Sequence, residues 1–157
     1  MESLFGLPSH PLFVHLPVVA VPAAAVVAVV LAISPPHRRR LSGWLAGLTT
    51  VGFVATFMAK ESGEAFNGVL EDRIGDLADD HQQLGEQTMV LVGLFFLASV
   101  MTALLERFAS IDDTALRIPA TVLAAGAALL GLAASVWMIR TGHEGARIVW
   151  DGVIPAE

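Results

Sequence analysis

The sequence predicts an all-α integral membrane protein, a four-helix up-down bundle, and three observations predict it. The 157 residues are 55% hydrophobic and only 15% charged, with a mean hydropathy of +0.68, whereas soluble domains carry about 25% charged residues. Four apolar runs, 11–33, 41–59, 88–105 and 118–139, account for that difference. Each is close to the ~20 residues a helix needs to cross a bilayer. An Arg38-Arg39-Arg40 triplet follows the first run, while Glu2 and no Lys or Arg precedes it. The length suits one domain, 1–157.

The first run is interrupted only by His15, and its flanking charges have the reverse order of a cleaved signal peptide. It is expected to remain as helix 1, with its C-terminal end in the cytoplasm and the N-terminus outside. The other three runs contain no charge. No run alternates, and Ala and Leu outnumber β-formers, so strands are not expected. A soluble protein with four buried helices would need a polar outer face on each, and too few polar residues flank these runs to supply one. The topology then puts Lys60–Gln87 and Arg140–Glu157 outside and Glu106–Arg117 inside, in a bacterial inner membrane, with both termini extracytoplasmic.

The second loop carries Glu61, Glu64, Glu71, Asp72, Asp76, Asp79, Asp80 and Glu86 against Lys60 and Arg73. The net charge of −6 comes mostly from this loop, which speaks against nucleic-acid binding. Within it Leu70, Ile74, Leu77, His81 and Leu84 recur at helical spacing. Helix 3 is therefore expected to begin outside the membrane as an amphipathic extension, after breaks at Gly63, Gly68 and Gly75. Gly43, Gly47, Gly93, Gly126 and Gly131 are small residues that let helices approach closely.

This topology brings His10, His15, His81 and His143 to one end. Imidazole ligates metals and haem iron well and is costly to bury unpartnered. In His10-Pro11-Leu12-Phe13-Val14-His15-Leu16-Pro17, Pro11 suits a first helical turn and biases His10 away from helical geometry. Pro17 removes one helical hydrogen bond and frees a carbonyl near Phe13. A kinked helix with His15 bonded to a carbonyl would explain the same residues. Glu61 and Glu64 stand three apart at the end of helix 2, either as partners of a ligating histidine or as a solvated end beside Lys60. Gly85, one turn after His81, leaves room over that imidazole. In Gly142-His143-Glu144-Gly145 two glycines flank the His-Glu pair, so the backbone can bend around a ligand of His143; a glycine helix stop is the plainer account. His37 lies at the other end and reads as a loop residue.

There is no cysteine, which excludes disulfides, thiolate metal sites and covalent haem attachment. No Ser-His-Asp order, phosphate loop or zinc-protease motif occurs, so a stand-alone enzyme is not expected.

The His10-Pro11…Val14-His15…Pro17 opening, His81…Gly85 and the Gly142-His143-Glu144-Gly145 ending resemble a bacterial membrane family, domain of unknown function 2231. The resemblance covers nearly the whole chain. It implies four membrane helices, with His10, His15, His81 and His143 as the characteristic histidines. Some relatives are joined to, or encoded near, cytochrome c modules, which implies redox chemistry. Family members often have Phe at Leu16 and a second Gly at Ala146; neither departure removes a ligand.

Three functions compete. The first is b-type haem for electron transfer, held by two of His10, His15, His81 and His143 from facing helices, with His15 and His143 or His81 the better pair and Arg140 and Arg147 pairing the propionates. The second is a zinc or copper ion held by several of these histidines with Glu64 or Glu144. The third is an accessory subunit of a respiratory membrane complex with no cofactor of its own. Expected partners are the lipid bilayer, a cytochrome c or larger respiratory complex, and a second copy of the chain.

Overall fold

The computed structural model describes residues 3–74, 78–108 and 114–150. Four long apolar helices pack as a bundle. A short antiparallel hairpin precedes them, β1 (Ser3–Leu4) and β2 (Leu7–Pro8), with Leu4 opposite Leu7. Its two turn residues, Phe5 and Gly6, have φ of 52° and 80°, the left-handed pair that tight hairpins use.

The first helix comes in two pieces, α1 (Ser9–Phe13) and α2 (His15–Ile33). The seam at Val14 lies where the absent N–H of Pro17 deprives the Phe13 carbonyl of its donor. The seam is shallow: Val14 keeps helical angles, and Val14 N–H still donates to the His10 carbonyl at 3.2 Å. His10 is helical, against the expected bias from Pro11. Pro22 sits inside α2 without ending it.

After a 3-10 turn at Pro35–His37 come α3 (Arg38–Ile74), α4 (Asp79–Phe108) and α5 (Thr114–Trp150). At 1.5 Å per residue, 37 residues reach about 55 Å, well beyond a ~30 Å hydrocarbon core. Three expectations are corrected here. α3 does not stop at Lys60 but continues through Gly63 and Gly68 to Ile74. α5 likewise continues through Gly142 and Gly145 to Trp150. An isolated glycine costs a helix only about 1 kcal/mol relative to alanine, and no proline interrupts either stretch. Finally, Leu70 and Ile74 belong to α3 whereas His81 and Leu84 belong to α4, so their spacing runs across two helices; Leu77 and Gly75 lie outside the described residues. α4 still starts nine residues before its apolar run, at Asp79.

The helices close a ring in which α2 and α4 each pack against both α3 and α5. Neighbours are antiparallel. His10 of α1 meets Ala59 of α3, and at the other end of the first helix Arg38 reaches back to Leu31. His81 likewise meets Thr141 across α4 and α5. The core is built from Val21, Ala24, Ala25, Ala28 and Leu31 of α2, Leu45 of α3, Val92 and Phe95 of α4, and Ala127, Ala128, Ala134 and Met138 of α5. So many alanines bring the backbones close. The tightest point is Gly131, where an added Cβ would stand 2.8 Å from the Phe95 ring and 3.1 Å from the Ala25 Cα. Gly93 faces Phe53, but Gly43, Gly47 and Gly126 face open space.

Large apolar side chains such as Val19, Val26, Val122 and Leu129 point outward, as a lipid-facing surface requires and a water-facing one does not. Polar side chains go inward. Thr49, Thr56, Ser99 and Thr102 are buried and donate to carbonyls one turn back in their own helices, at 2.7 to 2.9 Å. Arg38 is buried as well. It donates to the Leu31 carbonyl (2.8 Å), the Ala32 carbonyl (3.3 Å) and Thr121 Oγ1 (2.8 Å). One arginine of the triplet therefore caps the end of α2, and Arg39 and Arg40 are the exposed charges.

Candidate functional site

The end of the bundle opposite Arg38 brings His10 and His81 together, with ring centroids 6.0 Å apart and planes at 85°. Each imidazole lies on the neighbouring antiparallel helix in the same way. His10 Nδ1 donates to the Ala59 carbonyl of α3 at 2.8 Å, and Gly63 lies four residues further on, where a Cβ would come within 3.0 Å of the ring. His81 Nδ1 donates to the Thr141 carbonyl of α5 at 3.0 Å, and Gly145, again four residues on, would bring a Cβ to 2.9 Å. A carbonyl at position i and a bare Cα at i+4 thus form one platform, used twice.

That geometry settles a tautomer. A carbonyl oxygen only accepts, so Nδ1 carries the proton on both rings in their neutral form, and Nε2 keeps its lone pair. Ligating histidines are anchored in this way, by the nitrogen that does not bind the metal. Ser62, buried beneath His10, also donates to the Ala59 carbonyl, at 2.9 Å, and stands 3.5 Å from His10 Nδ1.

The other expected residues lie elsewhere. His15 and His143 are exposed. Helix geometry explains both: residues turn by about 100° each, so five positions put His15 about 140° from His10, and two put His143 about 160° from Gly145. Among the described residues, no three His, Cys, Asp or Glu side chains are gathered closely enough to hold a metal ion. Gly85 faces open space, so it is not the residue that makes room for His81. Glu64 is paired with Lys60 and half exposed. Arg140 stacks on the Trp137 ring at 5.0 Å, and the Trp137 indole donates to Gln87 at 2.7 Å. Arg147 reaches Glu144 Oε1 at 2.9 Å.

Two residues that matter here were hidden in the sequence or placed differently. Glu144 is within electrostatic reach of His81, and its Oε1 is buried without a hydrogen bond of acceptable geometry despite the Arg147 contact. Asn67 Oδ1 is also buried, with no hydrogen-bond partner among the described residues. Asn67 follows Gly63 by one turn on the same face of α3; spacing from Gly63 was the available signal. Two open grooves flank the end of α4, one lined by Asp79, Asp80, Gln82, Gln83 and Glu86, the other by Glu86, Gln87, Val90, Leu91 and Trp137. The first gives this end an acidic rim.

Comparison with known families adds the membrane assignment. Residues 6–156 match a family described as "Predicted membrane protein (DUF2231)". The chain belongs to this family. No curated protein and no solved structure matches it. The DUF2231 chain thus carries four helices long and apolar enough to cross a membrane, Ser9–Ile33, Pro35–Gly68, Asp79–Phe108 and Leu116–Trp150. At one end of that bundle it presents two imidazoles whose Nδ1 atoms are engaged with carbonyls and whose Nε2 atoms carry the lone pair.

Proposed function

We propose that this DUF2231 protein binds a transition-metal ion, zinc or copper, through the Nε2 atoms of His10 and His81. The observation that carries the reading is the paired anchoring of Nδ1 on the Ala59 and Thr141 carbonyls. It fixes both rings in the ligating tautomer before any ion arrives, and imidazole suits both metals. The acidic rim of Asp79, Asp80 and Glu86 favours a cation over a ligand with two anionic propionates. Haem, the first expectation from the sequence, draws on the same Nε2 atoms. Its proposed propionate partners already have others, Arg140 on Trp137 and Arg147 on Glu144.

The site belongs on the extracytoplasmic face of a bacterial inner membrane. Exposed Arg39 and Arg40 at the opposite end support that orientation by the positive-inside rule. The test is a visible spectrum and elemental analysis of protein purified in mild detergent, followed by a zinc titration. Zinc or copper bound in the wild type and lost in His10→Ala and His81→Ala is the expected result. A Soret band restores the haem reading. Neither haem nor metal leaves an accessory subunit of a respiratory complex.

A further inference from the structure

We propose that the groove beside Trp137 binds one membrane lipid, a glycerophospholipid with an ethanolamine headgroup, its phosphate on Arg140 and an acyl chain against Val90, Leu91 and Trp137. The inference goes beyond metal binding and does not depend on it. The groove is lined by Glu86, Gln87, Val90 and Leu91 of α4 and by Trp137 of α5. Glu86 and Gln87 stand towards the outer start of α4, and Val90 and Leu91 lie one turn deeper. The lining thus passes from polar to apolar in the direction that a lipid does. Val90 is 62% exposed, so a chain can reach it from the bilayer. Trp137 is a fixed wall: its indole N–H donates to Gln87 at 2.7 Å, and the Arg140 guanidinium lies 5.0 Å from the ring centroid.

Depth and charge select the headgroup. From Thr121, which Arg38 contacts at the opposite end, to Arg140 is about 28 Å of α5 at 1.5 Å per residue. That matches the ~30 Å hydrocarbon core and sets Arg140 at the boundary where lipid phosphates begin. Arg140 is exposed, and among the described residues it joins neither ion pair. Stacking on the groove wall positions its guanidinium and uses none of its N–H donors. Asp79, Asp80 and Glu86 rim the same end, and Lys60, within electrostatic reach of Glu86, is itself paired with Glu64. This acidic field repels a headgroup of net negative charge and suits one whose ammonium balances its phosphate.

Trp137 can report its own occupant. Trp44 and Trp150 are 70% and 55% exposed, and replacing both by Phe leaves Trp137 as the single fluorophore. The full-length protein is reconstituted into vesicles of equal phosphatidylethanolamine and phosphatidylglycerol, with brominated chains, which quench indole on contact, on one lipid or the other. Bromine on the ethanolamine lipid should quench Trp137 more. Arg140→Gln should lower affinity for that lipid roughly fivefold, the loss expected for one interfacial cation, and make the two labels equivalent, while Arg140→Lys should keep the preference. Glu86→Gln should shift it towards the glycerol lipid. Circular dichroism checks that each variant keeps its helices, and Arg140→Lys decides if Arg140→Gln does not. Equal quenching by the two labels in the parent protein, stronger quenching by the glycerol lipid, or a preference indifferent to Arg140 overturns the proposal and leaves the metal-binding reading untouched.

Discussion

Replacing Gly145 by alanine separates the site from the bundle that carries it. The new Cβ would stand 2.9 Å from His81 Cε1 and 3.2 Å from its Nδ1. Carbon atoms rest at about 3.5–4.0 Å, so the ring must retreat by roughly 0.5–1 Å. The Nδ1 bond to Thr141, now 3.0 Å, would stretch past the limit of a useful hydrogen bond. Overpacking of this kind costs about 1–3 kcal/mol. If the whole cost falls on the ligating geometry, zinc affinity drops roughly 5- to 150-fold. Fold stability suffers less, because alanine returns up to about 1 kcal/mol of helix propensity. Gly63→Ala should behave alike, its Cβ standing 3.0 Å from His10. The controls are Gly68→Ala and Gly142→Ala, where nothing lies within 4 Å of the added atom. They should gain stability and keep full affinity. Zinc calorimetry and detergent unfolding read the two quantities apart. Wild-type affinity in Gly145→Ala and Gly63→Ala would refute the role of the platforms.

Other substitutions address the fold, the orientation and the tautomer. Arg38→Ala strips the donors from the Leu31 and Ala32 carbonyls and should cost about 2–5 kcal/mol in unfolding measurements, while Arg39→Ala should cost almost nothing. Gly131→Ala drives a Cβ against the Phe95 ring and the Ala25 backbone; a loss of about 1–3 kcal/mol is expected, with partial recovery when Phe95→Leu is added. The chain has no cysteine of its own, so single cysteines report topology cleanly. Phe5→Cys, at a 96% exposed position, should react with an impermeant thiol reagent in intact cells, and Arg40→Cys only after permeabilisation. The reverse pattern would invert the orientation. His10→Asn and His81→Asn should keep helical content and lose zinc by calorimetry.

The four apolar runs were legible because hydrocarbon leaves the backbone few options. The lengths of α3 and α5 were not. Gly63, Gly68, Gly142 and Gly145 read as breaks, yet each is affordable inside a helix whose other residues favour it. Two of these glycines turn out to be surfaces on which rings lie. Spacing within one chain segment could not show that, since each partner sits on another helix. The histidines were visible as a group, but only His10 and His81 meet. The angular separation of His15 from His10 follows from counting residues once helix continuity through Val14 is known. Glu64, a candidate partner of a ligating histidine by its position, pairs with Lys60; α3 contributes instead the Ala59 carbonyl and Gly63, neither of which is a side chain that pattern reading can weigh.

The repeated platform also bears on whether His10 and His81 do more than tie helices together. A histidine that serves only as a helix-to-helix tie needs one donor, and Nδ1 supplies it to Ala59 or Thr141. The amide nitrogen of asparagine sits where Nδ1 does and could take over that bond. What asparagine cannot replace is Nε2. The tie account therefore expects His10→Asn and His81→Asn to pass unnoticed, whereas a metal centre expects the fold kept and the ion lost. The same tie, made twice on two glycine-cleared surfaces, brings the rings to 6.0 Å and, among the described residues, leaves both Nε2 lone pairs without a donor from the anchoring helices. Two such acceptors, with the Glu144 carboxylate within electrostatic reach of His81, repel one another electrostatically. A fold that needed only ties would gain by separating them, and a fold that holds a cation has reason to keep them together.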